Sequence, residues 1–188
     1  YEWSSYYELV RRFQPEAVIA VSGPDVRWVG NESGLARESE WSVLPLPLSE
    51  EELAGVSRRE TSLDMVFRPL NLMGEDLGSR EKILSARALF WYPAEVDVSI
   101  RPGWFYHQSQ DNLVKSGLAL FSIYLQSVGR NSVLLLNVPP DRRGLLADND
   151  IRVLQDFRQL VASSFKKNLA DRARIKASQT AAGHNIEA

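Results

Sequence analysis

Two stretches of this sequence put carboxylates beside tryptophans. Between residues 23 and 48 stand Asp25, Arg27, Trp28, Glu32, Glu38, Glu40 and Trp41; between 95 and 107 stand Glu95, Asp97, Trp104, Tyr106 and His107. These residue types suit a sugar. Aromatic rings pack on the apolar faces of a pyranose, while carboxylates and arginine take its hydroxyls in charge-assisted hydrogen bonds. A pair of carboxyl groups can also cleave a glycosidic bond. Loop tryptophans and tyrosines occur in non-catalytic binding modules too, so the pattern by itself leaves both readings open. Other chemistries are absent: His107 and His184 are the only histidines, there is no cysteine, and neither G-x-x-x-x-G-K nor G-x-G-x-x-G occurs. No metal site and no cofactor are implied.

The elements around these stretches alternate between helix and strand. Tyr6, Val10 and Phe13 share one helical face, Ser5 and Glu8 fit a capping box, and Pro15 ends the segment. Ala17 to Val21 reads as a short buried strand, ended by Ser22-Gly23-Pro24. Residues 23–48 read as a long loop, and 49–85 as an excursion with one short helix near Ser49 to Ala54. Ala88 to Ile100 reads as one or two strands interrupted at Pro93. A helix follows, with Asp111 as its N-cap, Val114, Leu118, Phe121 and Leu125 on one face, and Gly129 just past its end. Ser132 to Val138 is a further buried strand, closed by Pro139-Pro140. The last helix starts near Asp148 and presents Ile151, Leu154, Phe157 and Val161 inward. This order is that of an α/β fold, about half of a (β/α)8 barrel, in which loops after the strands build the active site. Both carboxylate-tryptophan stretches follow expected strands.

A length of 188 residues fits one domain with a real core. A formal net charge of -2 gives no support to a nucleic-acid partner. The basic cluster Lys166, Lys167, Arg172, Arg174 and Lys176 reads as a solvated helix end. No apolar run approaches the roughly 18 residues of a membrane span.

Three longer strings carry a resemblance. Gly23-Pro24-Asp25-Val26-Arg27-Trp28-Val29-Gly30-Asn31-Glu32 is the first. The second is the run from Trp91-Tyr92-Pro93-Ala94-Glu95 to Trp104-Phe105-Tyr106-His107. The third is Ser127-Val128-Gly129-Arg130-Asn131, leading into Leu134-Leu135-Leu136-Asn137-Val138-Pro139-Pro140-Asp141-Arg142-Arg143-Gly144. In this order and near this spacing, they resemble signatures of the α-L-fucosidases of glycoside hydrolase family 29. The similarity is greatest to the branch that acts on α-1,3/1,4-linked fucose, and it covers roughly residues 1–165.

The resemblance implies a retaining hydrolase of terminal α-linked L-fucose, acting on a fucosylated oligosaccharide or glycoconjugate. The catalytic acid/base is expected at Glu32, with Glu38 as the alternative. Arg27, Trp28, Trp41, Trp104 and His107 are expected around the substrate. Other roles stay open for them: an ion pair to Asp25 or a neighbour for Arg27, a core position for Trp104, a structural role for His107. Glu95 and Asp97 read as scaffold carboxylates bonded to Arg101 or to backbone. The family's nucleophile lies in a Trp-Phe-Asp-Gly-like string that this chain lacks, while Tyr1-Glu2-Trp3-Ser4 resembles the start of the helix that follows it. Residues 1–176 are thus expected to form the C-terminal half of a (β/α)8 catalytic barrel that needs its N-terminal half. Residues 177–188 would be a tail or linker toward a β-sandwich domain. The parent enzyme is expected to be periplasmic or secreted. The alternative is a carbohydrate-binding or scaffold fragment of the same fold that turns nothing over.

Overall fold

The computed structural model describes residues 2–20, 24–45, 74–171, 173, 174 and 176–178. The helix expected near Ser49 to Ala54 and most of the tail at 177–188 lie outside them.

Three parallel strands form the central sheet, in the order β1 (Arg27–Trp28), β4 (Ala94–Ser99), β5 (Ser132–Asn137). A separate antiparallel pair joins β2 (Val43–Pro45) to β3 (Leu89–Trp91). Pro93 is the reason the expected strand at 88–100 divides in two. It offers no N–H to a ladder, and the chain changes sheets there, from β3 to β4. Among the described residues four helices accompany the strands: α1 (Trp3–Phe13), α2 (Arg80–Leu84), α3 (Gly117–Ser127) and α4 (Asp148–Ser164). The result is a mixed α/β fold with a parallel sheet, in the helix–strand rhythm the sequence implies.

The two faces of the sheet differ. Side chains alternate along a strand, and register partners in a parallel ladder share a face. Ala94, Val96 and Val98 are buried and stand in register with Ser132, Leu134 and Leu136. Val29, Ala36, Ala94 and Val96 form the core cluster there, with Leu134 against it. α3 and α4 pack together beside this face, the Tyr124 and Phe157 rings meeting edge-on at 6.0 Å. The other face carries Trp28, Glu95, Asp97, Ser99, Val133, Leu135 and Asn137. On it Val133 is 51% and Leu135 53% exposed, so β5 is not the fully buried strand that its apolar run suggests.

Several local expectations change. The stretch from Ala17 to Ala20 has no strand ladder; Ile19 instead bonds with Asp25, its N–H donating to the Asp25 carboxylate at 2.6 Å. On α1 it is Tyr7 that is buried, while Tyr6 and Phe13 face outward; the N-cap is Glu2, and Ser5 lies inside the helix. The cap of α3 is Ser116, whose hydroxyl accepts the Ala119 N–H at 3.2 Å. Asp111 serves elsewhere, 2.9 Å from the Arg101 guanidinium. α3 buries Gly117, Leu120 and Ser127 rather than Leu118 and Leu125. A 3-10 turn over Val128–Arg130 extends it, and the left-handed cap is Asn131 at φ 71°, not Gly129. Asp150, fully buried, is the innermost residue of α4, while Ile151 is partly exposed. The described residues of the basic cluster, Lys166, Lys167, Arg174 and Lys176, are exposed but lie beyond the end of α4.

Candidate active site

Parallel strands end on the same side of a sheet, so the loops after β1, β4 and β5 share one edge. The loop after β1 is fixed along its length. Val29 N–H donates to Glu95 O at 3.0 Å, Gly34 N–H to Asp97 O at 3.1 Å, and Ala36 N–H to Gln126 O at 3.0 Å. Arg130 donates to Ala36 O at 2.9 Å, and the Asn131 amide to Glu40 O at 2.9 Å. Gly34 lies at φ +73°, and a Cβ there would meet Ile123 Cγ2 at 2.7 Å, so the loop presses directly on α3.

Within this frame Glu32 is exposed at the shared edge, and its Oε2 accepts the Trp104 indole N–H at 3.1 Å. One candidate carboxylate and one candidate aromatic, 72 residues apart, therefore meet. Next to them the Trp28 indole donates to Asp97 Oδ1 at 2.7 Å. Glu95 is two residues earlier on the same face, and burial pushes its carboxyl above the ordinary value of 4.5, with the Asp97 charge adding to the rise. Among the described residues the Glu95 carboxyl has no hydrogen bond, and Arg101 is not its partner as the sequence suggests. Arg101 is buried and turns away, bonding Asp150 at 3.0 Å and Asp111 at 2.9 Å, with its guanidinium 4.8 Å over the Tyr106 ring. It thereby ties both ends of the loop after β4 to α4. Lys115 closes the base of that loop, its ammonium donating to Ser99 O at 2.6 Å.

The other expected site residues sit apart from this edge or point elsewhere. Arg27 is 0% exposed and donates to Glu40 at 2.5 Å, to Trp41 O at 2.6 Å and to Tyr92 O at 3.1 Å. Burial lowers its pKa, and the bond to Glu40 works against that shift. In this structure Arg27 exposes no surface, and its carboxylate partner is Glu40. Asp25 instead holds Arg11 of α1 at 2.5 Å. The Trp41 side chain is partly exposed and packs by Gly78, beside the β2–β3 pair. His107 is exposed, and its contribution is a backbone carbonyl that accepts from Arg101 at 3.4 Å. Glu38 is exposed and lines a cavity of about 630 Å³ together with Asn31, Arg37, Ser39 and Glu75.

Two contributors are hard to see in the sequence. Asn137, which its position marks only as a strand-end residue, donates to both Trp104 O and Ser99 Oγ at 3.0 Å. Ser99 Oγ in turn donates to Gly103 O at 2.7 Å. The available signal was register: Ser99 and Asn137 are Cα partners at the ends of adjacent strands. Among the described residues no group of three or more acidic, histidine or cysteine side chains could hold a metal ion. No described helix is long and apolar enough to cross a membrane.

Comparison with known proteins gives a consistent picture. No protein-family model matches the chain. Alpha-L-fucosidase 1 of Arabidopsis thaliana is 39% identical over 179 residues, which is 95% of this chain and 31% of that protein. A crystal structure from Bacteroides ovatus, assigned as an α-L-fucosidase, superposes with a TM-score of 0.70 at 47% identity, over 89% of this chain and 28% of that one. A glycoside hydrolase family 29 member from an unknown rumen bacterium matches with a TM-score of 0.66 at 34% identity, over 95% and 28% of the two chains. The chain thus spans about a third of the length of these relatives. Matched over nearly all of its own length by proteins of one kind, in sequence and in fold, the chain is similar to about a third of an α-L-fucosidase of glycoside hydrolase family 29.

Proposed function

We propose that the protein carrying this chain hydrolyses terminal α-linked L-fucose from branched, α-1,3/1,4-fucosylated glycans with retention of configuration, and that Glu32 is its acid/base. The observation that carries the choice is the Trp104–Glu32 hydrogen bond at the strand-end edge. It joins a carboxyl group and an aromatic side chain from two different loops where an α/β barrel builds its site. Among the described residues Glu38 makes no hydrogen bond to the loop after β4, and it is the weaker candidate.

The chemistry runs in two steps. Glu32, protonated, gives its proton to the glycosidic oxygen as an aspartate attacks the anomeric carbon. The carbon–oxygen bond breaks, the glycan leaves with that proton, and fucose is held as an ester. Glu32, now a carboxylate, then takes a proton from water; the water oxygen attacks the anomeric carbon, the ester bond breaks, and the aspartate is freed. The aspartate has no counterpart string among these 188 residues and is assigned to a segment N-terminal to Tyr1. Trp104 also offers an apolar ring near the sugar, and Trp28 supports Asp97 beside it. The same proposal completes the fold. The exposed Val133 and Leu135, on the face that carries Glu95 and Asp97, suit the interior of a (β/α)8 barrel whose other half lies outside residues 1–176.

The test is release of free sugar from an α-1,3/1,4-fucosylated oligosaccharide by this chain and by a form extended N-terminally through the nucleophile segment. The expected result is L-fucose from the extended form alone. No release by a folded extended form overturns the proposal and favours a non-catalytic carbohydrate-binding role. Release of another sugar points to a different barrel glycosidase.

A further inference from the structure

We infer that the Trp104 indole is the group that aims the Glu32 carboxyl, and that Asn137 holds Trp104 in place to do so. The inference rests on the acid/base reading of Glu32 and adds two positioning residues to it.

Glu32 stands on a loop and is exposed, and the Trp104 N–H is the sole hydrogen bond its side chain makes among the described residues. A free glutamate side chain samples many rotamers. A proton donor, by contrast, must stay within hydrogen-bond reach of one oxygen atom. Some group has to select the rotamer, and the indole edge is the one in contact. Trp104 can do this because its own backbone is fixed from below. Asn137 Nδ2 donates to Trp104 O at 3.0 Å and to Ser99 Oγ at 3.0 Å. Ser99 Oγ donates to Gly103 O at 2.7 Å, and Ile100 N–H donates to Asn137 O at 3.0 Å. The residue before Trp104 and Trp104 itself are thus pinned to the C-terminal ends of β4 and β5. From there the indole reaches across to the loop that follows β1. All three parallel strands of the sheet contribute to placing one carboxyl group. An apolar wall for the sugar would need only the ring face; here the N–H edge of the ring is turned onto the carboxylate.

The distinguishing readout is dependence on the leaving group. An oligosaccharide leaves as a poor alkoxide and needs the proton from Glu32. An aryl α-L-fucoside with a strongly acidic phenol leaves without it. In the full-length protein, Trp104→Phe keeps an aromatic face and removes the donor, and Asn137→Ala removes the anchor. Misplacing a catalytic group by about 1 Å costs on the order of 100-fold. Both variants should therefore lose about 10- to 100-fold in kcat on the oligosaccharide, with KM little changed, and at least about 10-fold less than that on the activated aryl fucoside in its fucosylation step. Equal loss on both substrates, or a rise in KM alone, in Trp104→Phe overturns the inference and leaves Trp104 as a wall or a packing residue. Asn137→Ala behaving as wild type overturns the anchoring part. A wild-type protein that cleaves neither substrate overturns the acid/base reading beneath it, a different outcome from active wild type with unselective variants.

Discussion

Arg27 and Glu32 lie five positions apart in one sequence string, yet the structure places them in opposite circumstances. Arg27 is closed off behind Glu40, Trp41 and Tyr92, while Glu32 is exposed with an indole on its carboxylate. Residue type made both candidates legible. What separates them is a partner 13 residues away in one case and 72 in the other, and no local pattern encodes such distances. Arg27→Met should consequently act on stability. It leaves Glu40 buried with Arg37 as its remaining cation, at a cost of roughly 3 kcal/mol in urea unfolding. KM for substrate should stay unchanged in the folded fraction; a raised KM without lost stability would restore Arg27 as a sugar contact. Glu95 gives a pH dependence of known sign. Its carboxyl titrates above 4.5 in the folded state because of burial and the Asp97 charge, so folding favours its protonated form. The favourable contribution is full below the unfolded value and fades as pH rises through the folded one. Glu95→Gln should then be more stable than wild type at pH 7 and lose that advantage near pH 4, as read from thermal midpoints at the two pH values. An equal advantage at both would exclude titration of Glu95 as its cause.

At the scale of elements, periodicity succeeded where a segment has one buried face and failed where tertiary contacts choose the face. α4 begins where expected, and Pro93 marks a real break between strands. The Leu118 and Leu125 face of α3 is apolar in sequence but outward in the structure. The helix is apolar on most sides, and its inward side is fixed by Gly117 closing on α4, where a Cβ would meet Asp156 Cβ at 2.8 Å. Of the expected strand from Ala17 to Val21, the described residues Ala17 to Ala20 are apolar but join no ladder. Two substitutions probe how the elements hold the site. Ser116→Ala removes the α3 cap and should cost about 1 kcal/mol, seen in chemical denaturation without a change in activity. Gly34→Ala combines a left-handed backbone with the 2.7 Å approach to Ile123 Cγ2. It should cost roughly 1–3 kcal/mol and lower kcat as well, because the displaced loop carries Glu32. Stability equal to wild type would show that the loop is not clamped to α3 as described.

Over the whole molecule, the α/β class, the family resemblance and the half-barrel reading came from the sequence, while which faces of the sheet stand exposed needed coordinates. β5 pairs with β4 on one side, Val133 and Leu135 are half exposed on one face, and on the other Tyr124, Leu134, Leu136, Phe157 and Val161 line an apolar cleft of about 490 Å³. A sheet edge flanked by apolar surface tends to find a partner. This chain alone is expected to associate as its concentration rises, measured by light scattering or sedimentation, and the N-terminally extended form should not do so through this edge. A monomer at high concentration would show that the edge is already protected. The role of Glu32 is tested most directly by oligosaccharide hydrolysis by the full-length protein with Glu32→Gln beside Glu38→Gln. Glu32→Gln should lose about 100- to 10,000-fold, the range of general acid–base catalysis, while Glu38→Gln should keep nearly wild-type turnover. The reverse order would overturn this assignment and move the acid/base to Glu38.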